Sequence, residues 1–329
     1  MPGAYEKVMQ SRKALVEKII RNMEHGFIFP EKMWDKAAMS PQNPISGARY
    51  RGGNKLRLMS DVMEHGYQDP RWMTFRQLAE NGYHLRPEAK GTGVLCEKWI
   101  FDKKVEQKDE SGDPKLVNEK LAHPVVSYFY VFNGDLVEGL PEIEKKELTQ
   151  DETLKIADDL ISTSECPIHE VAQDRSFYRP LEDAIYVPMR SSFRDGLAFC
   201  GVVLHEMGHS TGHPDRLNRP IVNMFGTPKY AMEELRAELG AYFTETDLKI
   251  DLGDMRMADH TAYLQSWIGA LKDDPNELFR ACADAEAIAE RIVGNYERKY
   301  KRTEEIAKLE PKTEESLPEA GYGRREKCR

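Results

Sequence analysis

Apolar residues recur at helical spacing through Tyr5, Val8, Met9, Leu15, Val16, Ile19, Ile20 and Met23, so residues 5–25 form an amphipathic helix that Gly26 ends. An irregular stretch with Phe27, Phe29, Pro30 and Trp34 follows, then the turn-forming run Pro41-Gln42-Asn43-Pro44. A second helix runs from near Asn54 to about His65, and Thr74 is the N-cap of a short one reaching Glu80. The period then changes. Alternation at Val94, Cys96, Lys98 and Ile100 predicts a strand within 91–104, and 123–133 carries the strongest strand pattern in the chain. The polar run 105–120 between them is expected to be an exposed hairpin loop or an insertion. Helices and strands mix without βαβ regularity, which makes residues 1–140 an α+β domain.

Residues 141–150, entered through Gly139-Leu140-Pro141, are expected to be a linker. Beyond it the pattern predicts a helix over 150–162 and short strands at 171–173 and 183–188. The second strand, lying just before the next helix, is expected to edge a cleft and pair with an extended ligand. Phe199, Val202, Val203, Leu204 and Met207 mark a buried helix that Gly212 and Pro214 stop. Ala231, Leu235, Leu239, Tyr242 and Phe243 give the inward face of a helix over 230–248, and helices at 257–271 and 275–302 follow. The expected fold class is therefore α+β in two domains, the second (151–302) mostly helical, with 303–329 a flexible tail. No internal repeat is visible.

A chain of 329 residues is long enough for two domains, and no apolar run approaches the ~18 residues of a membrane span. The start, Met-Pro-Gly-Ala-Tyr-Glu-Lys, has no apolar core of a secretory signal. Five scattered cysteines without a Cys-x-x-Cys pair argue for a reducing compartment and against a thiolate metal site. A cytoplasmic protein with no membrane partner is expected.

Charge changes the picture further. The net value is −9, but residues 1–104 carry 18 basic and 12 acidic side chains while the remainder carries 29 and 44. A basic first third on an acidic chain points to an anionic partner for that third. Its richest stretch runs from Asn43 to Arg57 and combines Ser46, Arg49, Tyr50, Arg51, Asn54, Lys55 and Arg57 with three glycines. Glycines let backbone approach a ligand, arginines and a helix N-terminus near Asn54 suit phosphate, and Tyr50 suits a base. Arg71, Trp72, Phe75 and Arg76 add further basic and aromatic groups. The competing reading is that the aromatics are core and the charges a solvated face.

The sharpest chemistry is His205-Glu206-Met207-Gly208-His209. Residues four apart on a helix return to within ~40° of one face, so His205 and His209 can share one metal ion. Glu206 is turned far enough to reach a water on that metal instead. This is the layout of a zinc hydrolase, with Zn2+ the expected ion and Mn2+ or another divalent cation able to serve. Three residues compete to be the third ligand. His213 continues the spacing if the helix survives Gly212, and Asp215 gives a metzincin-like spacing. Glu234, in Glu-x-x-Ala-Glu, is close to the gluzincin pattern in which the first acid binds metal and the second, here Glu238, orients a ligating histidine. Glu234 is favoured, although donor chemistry alone does not choose.

These residues resemble the ArdC family of antirestriction proteins. The first half is similar to its single-stranded-DNA-binding domain, shared with plasmid TraC primases, through 43–54, 66–77, Val131-Phe132-Asn133 and Gly139-Leu140-Pro141. The second half is similar to its zincin-like metallopeptidase domain through 205–209, 211–214, 216–219 and 233–240. Two departures stand in the first half: Pro30 and Trp34 are separated where the family has Pro-Trp, and 86–91 replaces a Lys-Gly-Glu. The resemblance implies single-stranded DNA binding, a SprT-like or zincin fold, and protection of incoming DNA from restriction on a conjugative element.

The expected function is that of a DNA-bound zinc metallopeptidase acting on a protein or peptide. Glu206 serves as base, and His213 or Tyr178 is a candidate to stabilise the oxyanion. The rival is a DNA-binding shield with a catalytically idle zinc domain. A zinc nuclease is a weaker third, because no second metal site or phosphate clamp accompanies the motif.

Overall fold

The computed structural model describes residues 3–26, 40–108, 113–143, 148–221, 227–252 and 257–309. The readings placed on Phe27, Phe29, Pro30 and Trp34, and on 310–329, lie outside them. Helix α1 (Ala4–Glu24) buries Val8, Leu15, Val16, Ile19, Ile20 and Met23 of the expected stripe, while Met9 is half-buried and Tyr5, in the first turn, is exposed. Helix α2 (Gly52–His65) ends at Gly66, whose left-handed φ of 70° only glycine adopts without strain. After β1 (Trp72–Thr74), Thr74 caps α3 (Phe75–Glu80) in a reciprocal box with Gln77. Short β2 (His84–Leu85) pairs later with β5 (Val137–Glu138).

Strands β3 (Val94–Lys108) and β4 (Pro114–Asn133) form one long antiparallel hairpin, paired from Val94↔Val131 out to Lys108↔Pro114 with a register shift between Ile100 and Asp102. The expected loop over 105–120 is thus mostly regular strand. Its outer half is exposed on both faces, so no alternation of apolar and polar residues betrays it.

Thr149 caps α4 (Gln150–Ile161). A three-stranded sheet follows, with β8 (Ala184–Pro188) between β6 (Ile168–Val171), parallel to it, and β7 (Phe177–Arg179), antiparallel. This corrects two expectations. The strand placed at 171–173 lies at 168–171, and 183–188 is the central strand; both its edges are taken, so the outer edges of the sheet belong to β6 and β7. Helices α5 (Gly196–Ser210), α6 (Pro228–Leu248), α7 (Met257–Asp273) and α8 (Asn276–Leu309) complete the chain. Residues 303–309, expected in a tail, continue α8.

The α+β, two-domain expectation holds. Packing nonetheless crosses the chain's midpoint: Leu15, Ile19, Leu56, Met59 and Trp72 share a core with Leu235, Phe243, Trp267 and Leu278. A second core joins Leu160, Ile185, Val203 and Leu204 to Ala241 and Ile288 beneath α5. Among the described residues no helix is long and apolar enough to cross a membrane.

Candidate metal centre

Helix α5 begins at Asp195, whose carboxylate accepts from the Ala198 N–H at 2.8 Å. Phe199, Val203, Leu204 and Met207 fix it in the second core, which leaves the face of His205 and His209 turned to α6. Helix α6 starts at Thr227 with Pro228 in its first turn and brings Glu234 opposite them. The two imidazole Nε2 atoms are 3.1 Å apart, and the Glu234 carboxylate lies 3.4 Å from Nε2 of His205 and 3.5 Å from that of His209. The three donor groups lie within 4.8 Å of one another. The helices approach this closely because Gly208 faces Ala237, where even a Cβ would stand 3.3 Å from the Ala237 backbone.

The other ring nitrogens face carboxylates. His205 Nδ1 is 3.3 Å from Glu238, and His209 Nδ1 is 3.3 Å from Glu233. Arg219 in turn binds Glu233 at 2.8 Å, the Thr211 hydroxyl at 2.7 Å and the Gly208 carbonyl at 2.9 Å. With a carboxylate 3.3 Å from each Nδ1, the Nε2 lone pairs are left to converge on the space beside Glu234. Such lone pairs repel unless a cation or a proton lies between them. Two imidazoles and a carboxylate suit zinc and also accept manganese, so the donor set fits a divalent ion.

Without that ion, protons take its place. Burial pushes the His205 imidazole down, but Glu234 and Glu238 outweigh it and lift the pKa to about 9. Burial likewise opposes charge on His209, and Glu233 and Glu234 raise it well above the ordinary value. Burial works against ionising Glu234, yet the two histidines hold it far below the usual carboxylate range. Glu206 differs: burial raises its pKa, partly offset by the two histidines and by a hydrogen bond from the Tyr178 backbone.

His213 and Asp215 do not join this cluster. Helix α5 stops at Ser210, so the i+8 spacing no longer applies. His213 Nδ1 accepts from the Asp215 N–H at 3.2 Å, and the Asp215 side chain is 91 % exposed. Tyr178 lies on β7 with its hydroxyl donating to Asp183 at 2.8 Å, and Arg216 clamps the same carboxylate at 2.7 Å. Glu233 was not singled out by sequence reasoning. The available signal was its place in the pair Glu233-Glu234.

Of the expected DNA contacts, several are structural. Trp72 is fully buried. Buried Lys55 binds Asp247 at 2.7 Å, and buried Arg57 donates to the Leu95 carbonyl at 2.9 Å. Asn54 exchanges two hydrogen bonds with the Glu97 backbone, at 2.8 and 2.9 Å, and so ties α2 to β3. Tyr50 donates to the Trp72 carbonyl at 3.1 Å, and burial pushes its pKa up to about 12. Arg71 is clamped on Asp69 at 2.7 Å. The α2 N-terminus expected to meet phosphate is filled by Glu286, which accepts from the Gly52 N–H at 2.9 Å. Ser46, Arg49, Arg51 and Arg76 remain exposed.

Residues 9–132 match the model for the N-terminal domain of anti-restriction factor ArdC, and 155–284 match a zincin-like metallopeptidase model. The uncharacterized protein y4eC of Sinorhizobium fredii (strain NBRC 101917 / NGR234) is 30% identical over 77% of this chain and 81% of its own length. The chain belongs to the ArdC family of antirestriction proteins. Two crystal structures of the antirestriction protein ArdC from plasmid R388, one metal-free and one Mn(II)-bound, superpose with TM-scores of 0.66 at 28% identity. The similarity covers 87% of this chain in each case, and 98% and 97% of theirs. DNA primase TraC of Escherichia coli is 35% identical over 90% of this chain, which spans only 28% of that protein. A zincin-like domain implies a divalent metal, and the R388 relative is known with Mn(II).

Proposed function

We propose that the protein is a single-stranded-DNA-binding, metal-dependent peptidase with an antirestriction role on a mobile element. The observation that carries the peptidase reading is the convergence of His205, His209 and Glu234 on one point, with buried Glu206 in electrostatic reach. His205, His209 and Glu234 would hold the ion, Glu238 and Glu233 orienting the two imidazoles. A divalent ion supplies Lewis acidity there, which makes water acidic near pH ~7. Glu206 accepts the proton of the attacking water as its oxygen adds to the peptide carbonyl, and returns it to the amine as the C–N bond breaks. The edge of β7, next to α5, would take an extended substrate as an added antiparallel strand. Of the two oxyanion candidates, Tyr178 would have to release its hydroxyl from Asp183 to act.

The DNA half of the reading draws on the match to the ArdC N-terminal domain, the basic first third and the exposed Ser46, Arg49, Arg51 and Arg76. The mobile-element setting draws on plasmid R388 and the TraC relatives.

A peptidase assay with and without single-stranded DNA, comparing wild type with Glu206→Gln and measuring metal content in parallel, tests the proposal. Glu206→Gln should abolish cleavage while keeping metal and DNA. Persisting cleavage would overturn the mechanism, and full antirestriction by the inactive variant would favour simple DNA shielding.

A further inference from the structure

Far from the metal centre, aromatic rings gather on one face of the β3–β4 hairpin. Leu95 pairs with Tyr130, Glu97 with Tyr128 and Trp99 with Val126, so these side chains stand on one side of the sheet. Helix α1 crosses that side and sets the edge of Tyr5 against Trp99, ring centres 6.5 Å apart. Trp99 and Phe101 stack at 6.5 Å and 23°, and Tyr128 meets Tyr130 edge-on at 5.9 Å. Cations alternate with the rings. Lys7 lies 5.3 Å from the centre of Tyr128, and the Arg12 guanidinium is sandwiched between Trp99 at 5.1 Å and Phe279 at 4.3 Å. Tyr5, Arg12, Trp99, Asn276, Phe279 and Arg280 line a cavity of about 380 Å³.

Several features point outward to a ligand. Tyr5 and Phe101 are each 59% exposed and Tyr130 41%, a concentration of ring surface in water that packing does not require. Arg12 is neutralised by a two-pronged bond to Glu97 at 2.8 Å, so it serves as a fixed flat surface rather than as a phosphate anchor.

We propose that this face is the base-stacking surface for single-stranded DNA, with the cavity taking one unpaired base. The inference rests on the DNA-binding reading above and adds where the strand lies. Rings interleaved with cations bind unpaired bases without regard to sequence, because every base has a π-face. A duplex keeps its bases stacked inside and offers these rings only phosphates. The cavity lies within the size range of small-ligand pockets. Arg280 at the cavity is tied to Asp274 and Glu277, so Lys7, over the Tyr128 ring, is the cation of this face placed to meet the flanking backbone. The surface shares no residue with the stretch from Asn43 to Arg57.

The test uses the full chain and fluorescein-labelled oligothymidine, read by anisotropy. Tyr5→Ala and Phe101→Ala remove exposed rings and should each weaken binding on the order of 5- to 150-fold, the range for one stacked base. Phe101→Tyr should retain affinity, and Leu181→Ala, a 97% exposed apolar site in the other half, should change nothing. Ultraviolet crosslinking of the wild-type complex should label peptides containing Tyr5 or Trp99. Wild-type binding that survives both ring deletions, or crosslinks confined to residues 43–57, would overturn this placement and leave DNA binding standing. No oligothymidine binding by the wild type would overturn both.

Discussion

Each imidazole of the metal centre is held by its own carboxylate, and the two carboxylates are not equally visible. Glu234 and Glu238 are four apart on α6 and share a face, so spacing finds both. Glu233 is turned about 100° from Glu234, and the same logic discards it. It reaches His209 because Arg219 pulls it to that side. Glu233→Gln should weaken divalent-ion affinity by about 10- to 100-fold, read by competition with a chromophoric chelator. An unchanged affinity would reduce Glu233 to a partner of Arg219. Removing the metal with a chelator leaves a proton load that sets a pH dependence. The His205 pKa rises from 6.5 to about 9 on folding, so its contribution to metal-free stability is complete below pH 6.5 and lost as pH rises through about 9. Glu234 is shifted down, so its contribution is present above its unfolded value and lost in acid. The urea midpoint of chelator-treated protein should fall between pH 6.5 and 9, while metal affinity climbs over the same range as the competing proton leaves. A flat midpoint would mean that His205 is neutral in the metal-free fold.

At the scale of elements, the site depends on two helices touching at Gly208 and Ala237. Gly208→Val would place a branched side chain where even a lone Cβ would stand 3.3 Å from the Ala237 backbone, and so force α5 from α6. The expected cost is about 1–3 kcal/mol in urea unfolding, with metal affinity falling as the imidazoles withdraw from Glu234. Affinity that holds while stability drops would show that the helices yield elsewhere. The helices were legible for two reasons: α1 buries one apolar stripe, whereas α5 and α6 are buried over most of their surface and show as dense apolar runs between clear start and stop residues. The sheet elements were less so. The outer part of β3 and β4 has no buried face, and nothing in the spacing of residues 183–188 says which of three strands lies in the middle. The basic first third was only partly legible for a related reason. Composition records that Lys55, Arg57 and Trp72 are present, but only the fold decides that they turn inward.

Over the whole molecule, chain order and packing disagree in a way that has consequences. Leu56 and Trp72 belong to the same core as Leu235 and Trp267, and a buried ion pair joins Lys55 on α2 to Asp247 on α6. Neither partner of that pair has solvent to fall back on. Arg49 stands 3.7 Å from the other Asp247 oxygen, a longer contact on a half-exposed side chain, and would compensate only in part. Lys55→Ala should therefore cost about 3–5 kcal/mol, the range for stranding one charge of a buried pair. Because the core is continuous, that loss should not be confined to the first half. Urea unfolding of wild type and variant, followed by tryptophan fluorescence and by release of bound metal from the centre on α5 and α6, should give coincident transitions shifted together. A variant that releases metal at the wild-type midpoint while fluorescence shifts would show that the two halves unfold separately despite their shared core. Coincidence would mean that the surface offered to DNA and the metal centre are held by one cooperative structure.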